Sequence, residues 1–284
     1  MNPQFPRTMV GGKSLSRIII GTNWLMGWSH TGPAADAMIR ARHSDVNNMV
    51  GVINAYQEYG IDTIMGPISE HPHLQNAIAL AQEKSGKKLI LVDTPTLNVA
   101  DTPEARREAA AQVRHSKEIG TDFCLLHHSC AEQLVNKGKQ EITRLDDYTA
   151  MIREHGMLPG LSAHMPELIV YSDQNGYDVE TYIQIYNCMG FLMQVEIETV
   201  NAIIHSAKKP VMTIKSMAAG RCTPFVGLNF SWNTLRECDM ITLGCFTERE
   251  VHEDVEISFA ALERRRPNLE RRASPNQNQA AFGK

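Results

Sequence analysis

The sequence predicts one α/β domain built as a (β/α)8 barrel. Short apolar runs recur every few tens of residues, and a longer amphipathic stretch follows most of them. This alternation is typical of parallel βα units, and eight such units favour a closed barrel over an open sheet. The length of 284 residues agrees with this prediction, since barrels of about 250 residues commonly form one domain.

The eight predicted strands share a core of aliphatic residues. They cover residues 17–21, 61–65, 88–93, 122–127, 158–162, 182–186, 210–215 and 240–244. Helical patterns lie between these strands at residues 46–59, 72–85, 103–119 and 144–155, and a further one follows the last strand at 249–264. Thr102 precedes Pro103 at one helix start, and Thr247 stands three residues before Glu250, which is a capping-box spacing.

The predicted barrel spans residues 1–266. A long polar stretch rich in Gly and Pro at 24–43, after the first strand, predicts a loop over the barrel mouth. Residues 267–284 have few apolar side chains and predict a flexible C-terminal tail.

Composition excludes several classes of function. The net charge is −4 and the basic residues are mostly scattered, which does not fit a nucleic-acid-binding protein. No apolar run approaches the roughly 18 residues of a membrane span, and the six cysteines form no CxxC pair. We therefore expect a cytoplasmic protein with reduced thiols and a small-molecule substrate. Exposed apolar residues on the helices could also form the interface of a homo-oligomer, and this alternative is left open.

Several segments, in order along the chain, resemble landmarks of the aldo-keto reductases. They are Gly60-Ile-Asp-Thr with Ser69-Glu70, Asp122-Phe-Cys-Leu-Leu-His-His, Gly160-Leu-Ser-Ala-His-Met-Pro-Glu, Tyr182-Ile-Gln-Ile-Tyr-Asn and Leu243-Gly-Cys-Phe-Thr. The resemblance implies a barrel of the aldo-keto reductase type, with Asp62 at the family's active-site aspartate and His127 at its active-site histidine. No tyrosine follows Asp62 where the family has its proton donor, and Asp93 stands where the family has its lysine.

Polar residues that follow the predicted strands should meet at the mouth of the barrel, because catalytic residues of this fold lie at the C-terminal ends of strands. They are Asn23, Asp62, Asp93, His127, His128, His164, Asn187 and Lys215. For a divalent metal (Zn, Mn or Mg), the natural ligands in this set are Asp62, Asp93, His127 and His164. In the alternative, the two aspartates simply pair with Lys215 in a charge network.

The function that we expect from these residues is lyase, isomerase or hydrolase chemistry on a small polar, carbohydrate-derived substrate. Asp62 and His127 would exchange protons, Lys215 would stabilise an oxyanion, and Asp93 would orient Lys215 or bind the metal. Aromatic and polar side chains would contact the substrate, namely Asn23, Trp24, Trp28, His30, Arg221 and Trp232.

Two alternatives remain open at this point. One is a divergent NADP-dependent reductase in which Tyr56, Tyr59 or Tyr186 replaces the missing tyrosine, although the mostly acidic segment 244–250 does not favour a 2′-phosphate. The other is a barrel without catalytic activity.

Overall fold

Eight parallel strands close into one barrel in the computed structural model, which describes residues 2–269. The strands are β1 Arg7–Val10, β2 Lys13–Ser16, β3 Ile18–Gly21, β4 Thr63–Gly66, β5 Ile90–Asp93, β6 Phe123–Leu126, β7 Val135–Asn136, β8 Glu141–Ile142, β9 Leu158–Ala163, β10 Tyr182–Ile185, β11 Val211–Ile214 and β12 Met240–Leu243. The barrel order is β10-β11-β12-β3-β4-β5-β6-β9. All eight predicted strands are confirmed, with ends that differ by at most two residues.

The barrel interior is filled with side chains rather than open. Successive residues of a strand point to opposite faces, so alternate positions face inward. The inward-facing cluster includes Ile19, Met65, Val92, Phe123 and Met212, all of them buried. Inside the barrel formed by the described residues, a ligand therefore finds space above this packed layer, at the C-terminal ends of the strands.

A hairpin of β1 and β2 covers the N-terminal end of the barrel, and the sequence analysis did not predict it. Leu15 is fully buried and packs against the interior cluster. Two ion pairs fix the hairpin to residues that immediately precede barrel strands. Arg7 Nη2 lies 2.9 Å from Asp62 Oδ2, and Lys13 Nζ lies 2.8 Å from Asp122 Oδ1.

Helices pack around the barrel as a second layer. They are α1 Asn23–Met26, α2 Pro33–His43, α3 Val46–Gln57, α4 Pro72–Ser85, α5 Pro103–Glu118, α6 His128–Ala131, α7 Leu145–Glu154, α8 Glu167–Asn175, α9 Ile197–Ser206, α10 Pro224–Thr234 and α11 Glu248–Leu262. The five predicted helices are confirmed. Thr102 caps α5 by accepting a hydrogen bond from the backbone of Ala105, and Thr247 forms the predicted capping box with Glu250.

The stretch 24–43 is not the plain loop that we predicted, because it contains α2. Pro33 occupies the first turn of this helix, where its missing N–H costs nothing and its fixed φ suits the helix. The preceding Gly32 takes up the irregular conformation, with φ +154°. Of the predicted tail, residues 270–284 lie outside the described residues. No helix within residues 2–269 is long and apolar enough to cross a membrane.

Candidate active site

A cavity of about 890 Å³ opens at the C-terminal mouth of the barrel. Its volume falls within the roughly 300–1,000 Å³ of small-molecule and cofactor sites. Most of the predicted site residues line it, namely Asn23, Trp24, Trp28, His30, His127, His128, His164, Lys215 and Arg221.

Asp62 does not reach this mouth. It precedes β4, and in a parallel barrel the residues before the strands meet at the opposite end from those that follow them. Its carboxylate accepts two hydrogen bonds from Arg7 of the N-terminal hairpin. The prediction that placed Asp62 among the catalytic and metal-binding residues is therefore wrong in this structure.

Asp93 ends β5 but faces away from the cavity. Its neighbour Val92 points into the barrel, so Asp93 points outward toward the helical layer. The fully buried carboxylate accepts hydrogen bonds from Ser116 Oγ at 2.6 Å and from the backbone N–H of Ser69 at 3.1 Å. Asp93 thus joins α5 to the barrel wall, and the predicted roles in metal binding and in orienting Lys215 are wrong.

Trp232 also lies outside the mouth, contrary to the prediction. It belongs to α10 and is 94% buried between Phe5 and the guanidinium of Arg17, whose Cζ lies 5.0 Å from its ring centroid. Asn187 is fully buried and holds the loop after β10 through hydrogen bonds with the backbone of Met189 and Phe191. Both residues have structural roles.

Lys215 and His30 form the central polar pair of the cavity. Lys215 Nζ lies 3.0 Å from His30 Nε2, and the amide nitrogen of Asn23 lies 3.3 Å from the same atom. Both neighbours are donors, so His30 Nε2 is the unprotonated acceptor and Nδ1 carries the proton. Burial lowers the pKa of Lys215 to about 8, and burial, followed by the nearby Lys215 charge, lowers the pKa of His30.

The backbone that carries this pair is strained. Lys215 has a φ of +63° and His30 a φ of +57°, in the left-handed region that non-glycine residues rarely adopt. Ala218 and Ala219 follow with φ values of +49° and +54°. Such residues cost roughly 1–3 kcal/mol each and cluster at functional sites. Arg221 joins the segment after β11 to two other segments. Its Cζ lies 3.8 Å from the ring centroid of Phe191, and its N–H groups donate to the carbonyl of His30.

His127 follows β6 and caps the short helix α6. Its Nδ1 accepts a hydrogen bond from the backbone N–H of Ser129 at 3.4 Å and contacts Ser129 Oγ at 2.8 Å. The proton of the neutral ring is therefore on Nε2, which leaves His127 as a hydrogen-bond donor. Burial, with a smaller contribution from His128, lowers the pKa of His127 to about 4.

His128 and His164 stack on each other beside His127, with ring centroids 3.8 Å apart. Glu132 completes this group, and its Oε1 accepts hydrogen bonds from the backbone N–H groups of His164 and Met165 at 2.6 and 3.1 Å. One ligand atom from each of His128, Glu132 and His164 lies within 4.8 Å of the other two. The sequence analysis missed Glu132, although its position four residues after His128 was a usable signal, since such residues share a helix face.

None of the three tyrosines considered as replacements lines the cavity. Tyr56 is fully buried and donates to the carbonyl of Leu243, Tyr59 contacts His252, and Tyr186 donates to Thr234.

A pair of cysteines lies near the cavity, where Cys222 Sγ is 3.8 Å from Cys188 Sγ and both thiols are free.

No protein-family model and no curated protein matches the sequence. Solved structures do match. PA4992 of Pseudomonas aeruginosa, described as a candidate aldo-keto reductase, is 14% identical, with a TM-score of 0.65 over 92% of this chain and 98% of that chain. An aldo-keto reductase of the silkworm Bombyx mori, complexed with NADPH, is 12% identical, with a TM-score of 0.59 over 96% and 91%. An aldo-keto reductase of Klebsiella pneumoniae, also with NADPH, is 14% identical, with a TM-score of 0.59 over 96% and 98%.

These neighbours overturn the expectation of lyase, isomerase or hydrolase chemistry, and also our preference for such chemistry over an oxidoreductase. They are described as aldo-keto reductases, one of them as a candidate, and two of them are complexes with NADPH. The structure supplies a physical reason as well, because the expected chemistry needed two carboxylates at the mouth and neither Asp62 nor Asp93 reaches it. By its strand order, its helical layer and its similarity over more than nine-tenths of the chain, this protein has the (β/α)8 barrel fold of the aldo-keto reductases.

Proposed function

We propose that the protein is a divergent NAD(P)H-dependent oxidoreductase that reduces a small carbonyl compound in the mouth of the barrel. The observation that carries this proposal is the hydrogen bond of 3.0 Å between Lys215 and His30 inside the cavity. The pair puts Lys215, a proton donor with a pKa of about 8, at the C-terminal end of the barrel, where this fold carries its chemistry. In this proposal Lys215 replaces the proton-donating tyrosine of the aldo-keto reductases.

Several residues around the cavity suit a dinucleotide, while the acidic side chains of Glu250 and Glu253, which also line it, favour NADH over a 2′-phosphate. Arg221 is a guanidinium at the rim and suits a phosphate group. Trp24 and Phe246 are in edge contact, with ring centroids 6.3 Å apart, and they offer apolar surface to an aromatic ring of the dinucleotide. When bound, a reduced nicotinamide would supply the hydride to the carbonyl carbon.

The chain itself would handle the carbonyl oxygen. The Lys215 ammonium uses one N–H for His30 and keeps two others for a ligand. It would donate a proton to the oxygen as negative charge develops there, and the neutral amine would regain a proton from solvent in the open mouth. The Nε2–H of His127, which also lines the cavity, would be a further hydrogen-bond donor to the bound carbonyl compound.

His30 keeps Lys215 in place for this step. Its neutral ring accepts from the ammonium and so fixes the position of Nζ without adding a positive charge beside it. Asn23 in turn fixes the orientation of the His30 ring. Lys215 is therefore the proposed catalytic residue, and His30 and Asn23 are positioning residues.

Binding of the dinucleotide is the first test, and the tryptophans report it. Trp24 and Trp28 line the cavity, so NADPH or NADH bound there should quench their emission and accept energy from them. Trp232→Phe serves as the control and should leave this signal intact, since Trp232 lies outside the cavity. Arg221→Met should weaken binding roughly 10–100-fold, which corresponds to one hydrogen bond to a charged group.

Turnover is the second test. With NADPH or NADH and a panel of small aldehydes and ketones, the native chain should oxidise the dinucleotide. Lys215→Met should bind it with unchanged affinity and show no turnover. Failure of both dinucleotides to bind at millimolar concentration would refute the proposal.

A further inference from the structure

We propose that His128, Glu132 and His164 form a binding site for one divalent transition-metal ion, with zinc as its natural type. The site is independent of whether the mouth binds a dinucleotide. One ligand atom from each residue lies within 4.8 Å of the other two. Among residues 2–269, no other group of three His, Cys, Asp or Glu side chains brings its ligand atoms this close.

The fold places these residues together for reasons that can be read from the chain. His128 begins α6, and Glu132 follows it by four residues, so both side chains project from the same side of one helical turn. His164 follows β9, the strand that pairs with β6 in the barrel, and β6 leads directly into His127 and His128. Neighbouring parallel strands end at the same edge, which brings His164 to the helix.

The donor set is chemically suited to zinc and similar ions. Two imidazoles and one carboxylate form the protein half of many catalytic zinc sites, which keep a fourth position for water or substrate. Glu132 Oε1 is held by two backbone N–H groups, which fixes the carboxylate and leaves Oε2 for an ion.

Metal binding would require the two imidazole rings to rotate from their present arrangement. They are now stacked, at an angle of 18° between planes. Two nitrogen ligands at about 2.0–2.1 Å on a tetrahedral ion lie about 3.3 Å apart, with their lone pairs converging on the ion. Rotation about the Cβ–Cγ bonds would change this arrangement, since such bonds are torsionally soft. Because His128 and His164 both line the mouth, the fourth position of the ion would face the cavity.

The experiment measures zinc binding to the full chain after chelator treatment, by competition with a chromogenic chelator. We expect one zinc ion per chain. Glu132→Gln keeps an acceptor for the two backbone N–H groups but loses the charge, so the fold should persist while zinc affinity falls at least about 100-fold. His128→Ala and His164→Ala should show a loss at least as large.

Two matched controls separate this site from other ligand sets. His127→Asn removes the adjacent imidazole, whose ring centroid lies 4.2 Å from that of His128, but keeps an acceptor for the Ser129 N–H that caps α6, and it should leave zinc affinity unchanged. A double substitution of Cys188 and Cys222 by Ser should also leave it unchanged. If the histidine variants do not fold, X-ray absorption of the zinc-loaded native chain decides between the sets, with two imidazoles, oxygen and no sulfur expected.

Three outcomes would overturn the proposal: no stoichiometric zinc in the native chain, full affinity in Glu132→Gln, or sulfur in the coordination shell. Since none of these measurements uses a dinucleotide or turnover, they leave the proposed reductase activity to its own tests.

Discussion

Replacing Lys215 with Met should make the protein more stable near pH 7 while it removes the proposed proton donor. Burial holds the pKa of this ammonium at about 8, which means that the folded chain disfavours the charged form. Met has a similar length, is apolar and needs no hydration. The substitution therefore removes a penalty that the native chain carries for function.

The size of this effect follows from the pKa. A fall from about 10.4 in the unfolded chain to about 8 in the folded chain is equivalent to about 3 kcal/mol. Lys215 is only partly buried and faces an open cavity, so solvent screening reduces the expected gain to about 1–2 kcal/mol. Loss of the hydrogen bond to His30 opposes it by about 1 kcal/mol or less, because Asn23 still serves His30 Nε2.

The gain should depend on pH in a defined direction. Below pH about 8, Lys215 is charged in both states and the native chain carries the full penalty. Between pH about 8 and about 10.4 the unfolded chain binds more protons than the folded chain, so native stability rises with pH. The advantage of Lys215→Met should therefore shrink steadily across this window.

Urea unfolding, followed by circular dichroism at about pH 7 and about pH 10, measures both effects. Lys88→Met is a suitable control because Lys88 is exposed on the surface. Lower stability of Lys215→Met near neutral pH, or a difference from the native chain that does not change with pH, would refute the reasoning.

Further outcomes follow from other contacts. In the reductive direction kcat/KM should fall above pH about 8 as Lys215 loses its proton, and a flat profile would exclude it as the donor. His127→Ala should abolish turnover but still bind the dinucleotide, as measured by tryptophan fluorescence. Full activity in this variant would show that His127 has no catalytic role. Asp62→Asn should keep native kinetics and lose no more than about 1 kcal/mol of stability, since the ion pair of Asp62 with Arg7 is about one-third exposed. Loss of turnover in this variant would instead show that Asp62 takes part in catalysis. Mild oxidation with a diazene dicarboxamide should join Cys188 to Cys222, detected by peptide mass, because their sulfurs are already 3.8 Å apart; two free thiols after treatment would contradict this.

The fold could be predicted from the sequence because its signals are local. Most barrel strands are short aliphatic runs, and the caps at Thr102 and Thr247 mark helix starts by side-chain chemistry alone. The hairpin of β1 and β2 escaped prediction since its partly exposed strands lack a strong apolar pattern. Helix α2 escaped because Gly32 and Pro33 suggested a loop, although a proline at the first turn favours a helix.

The site could be predicted only in part, because a one-residue change decides which way a strand residue faces. Lys215 and His127 follow their strands and reach the mouth. Asp93 is still inside its strand and points outward, while Asp62 precedes its strand and lies at the other end. Contacts between distant segments, such as the pair of His30 and Lys215, have no local signal at all.

The hairpin at the N-terminal end has a kinetic consequence. Within residues 2–269, Leu15 and the interior cluster close that end of the barrel, so a ligand reaches the cavity from the mouth. A ligand that occupies the deeper part of the cavity must arrive first and leave last. Turnover with two ligands should then follow an ordered sequential scheme, in which a high concentration of the second ligand traps the first and slows its release.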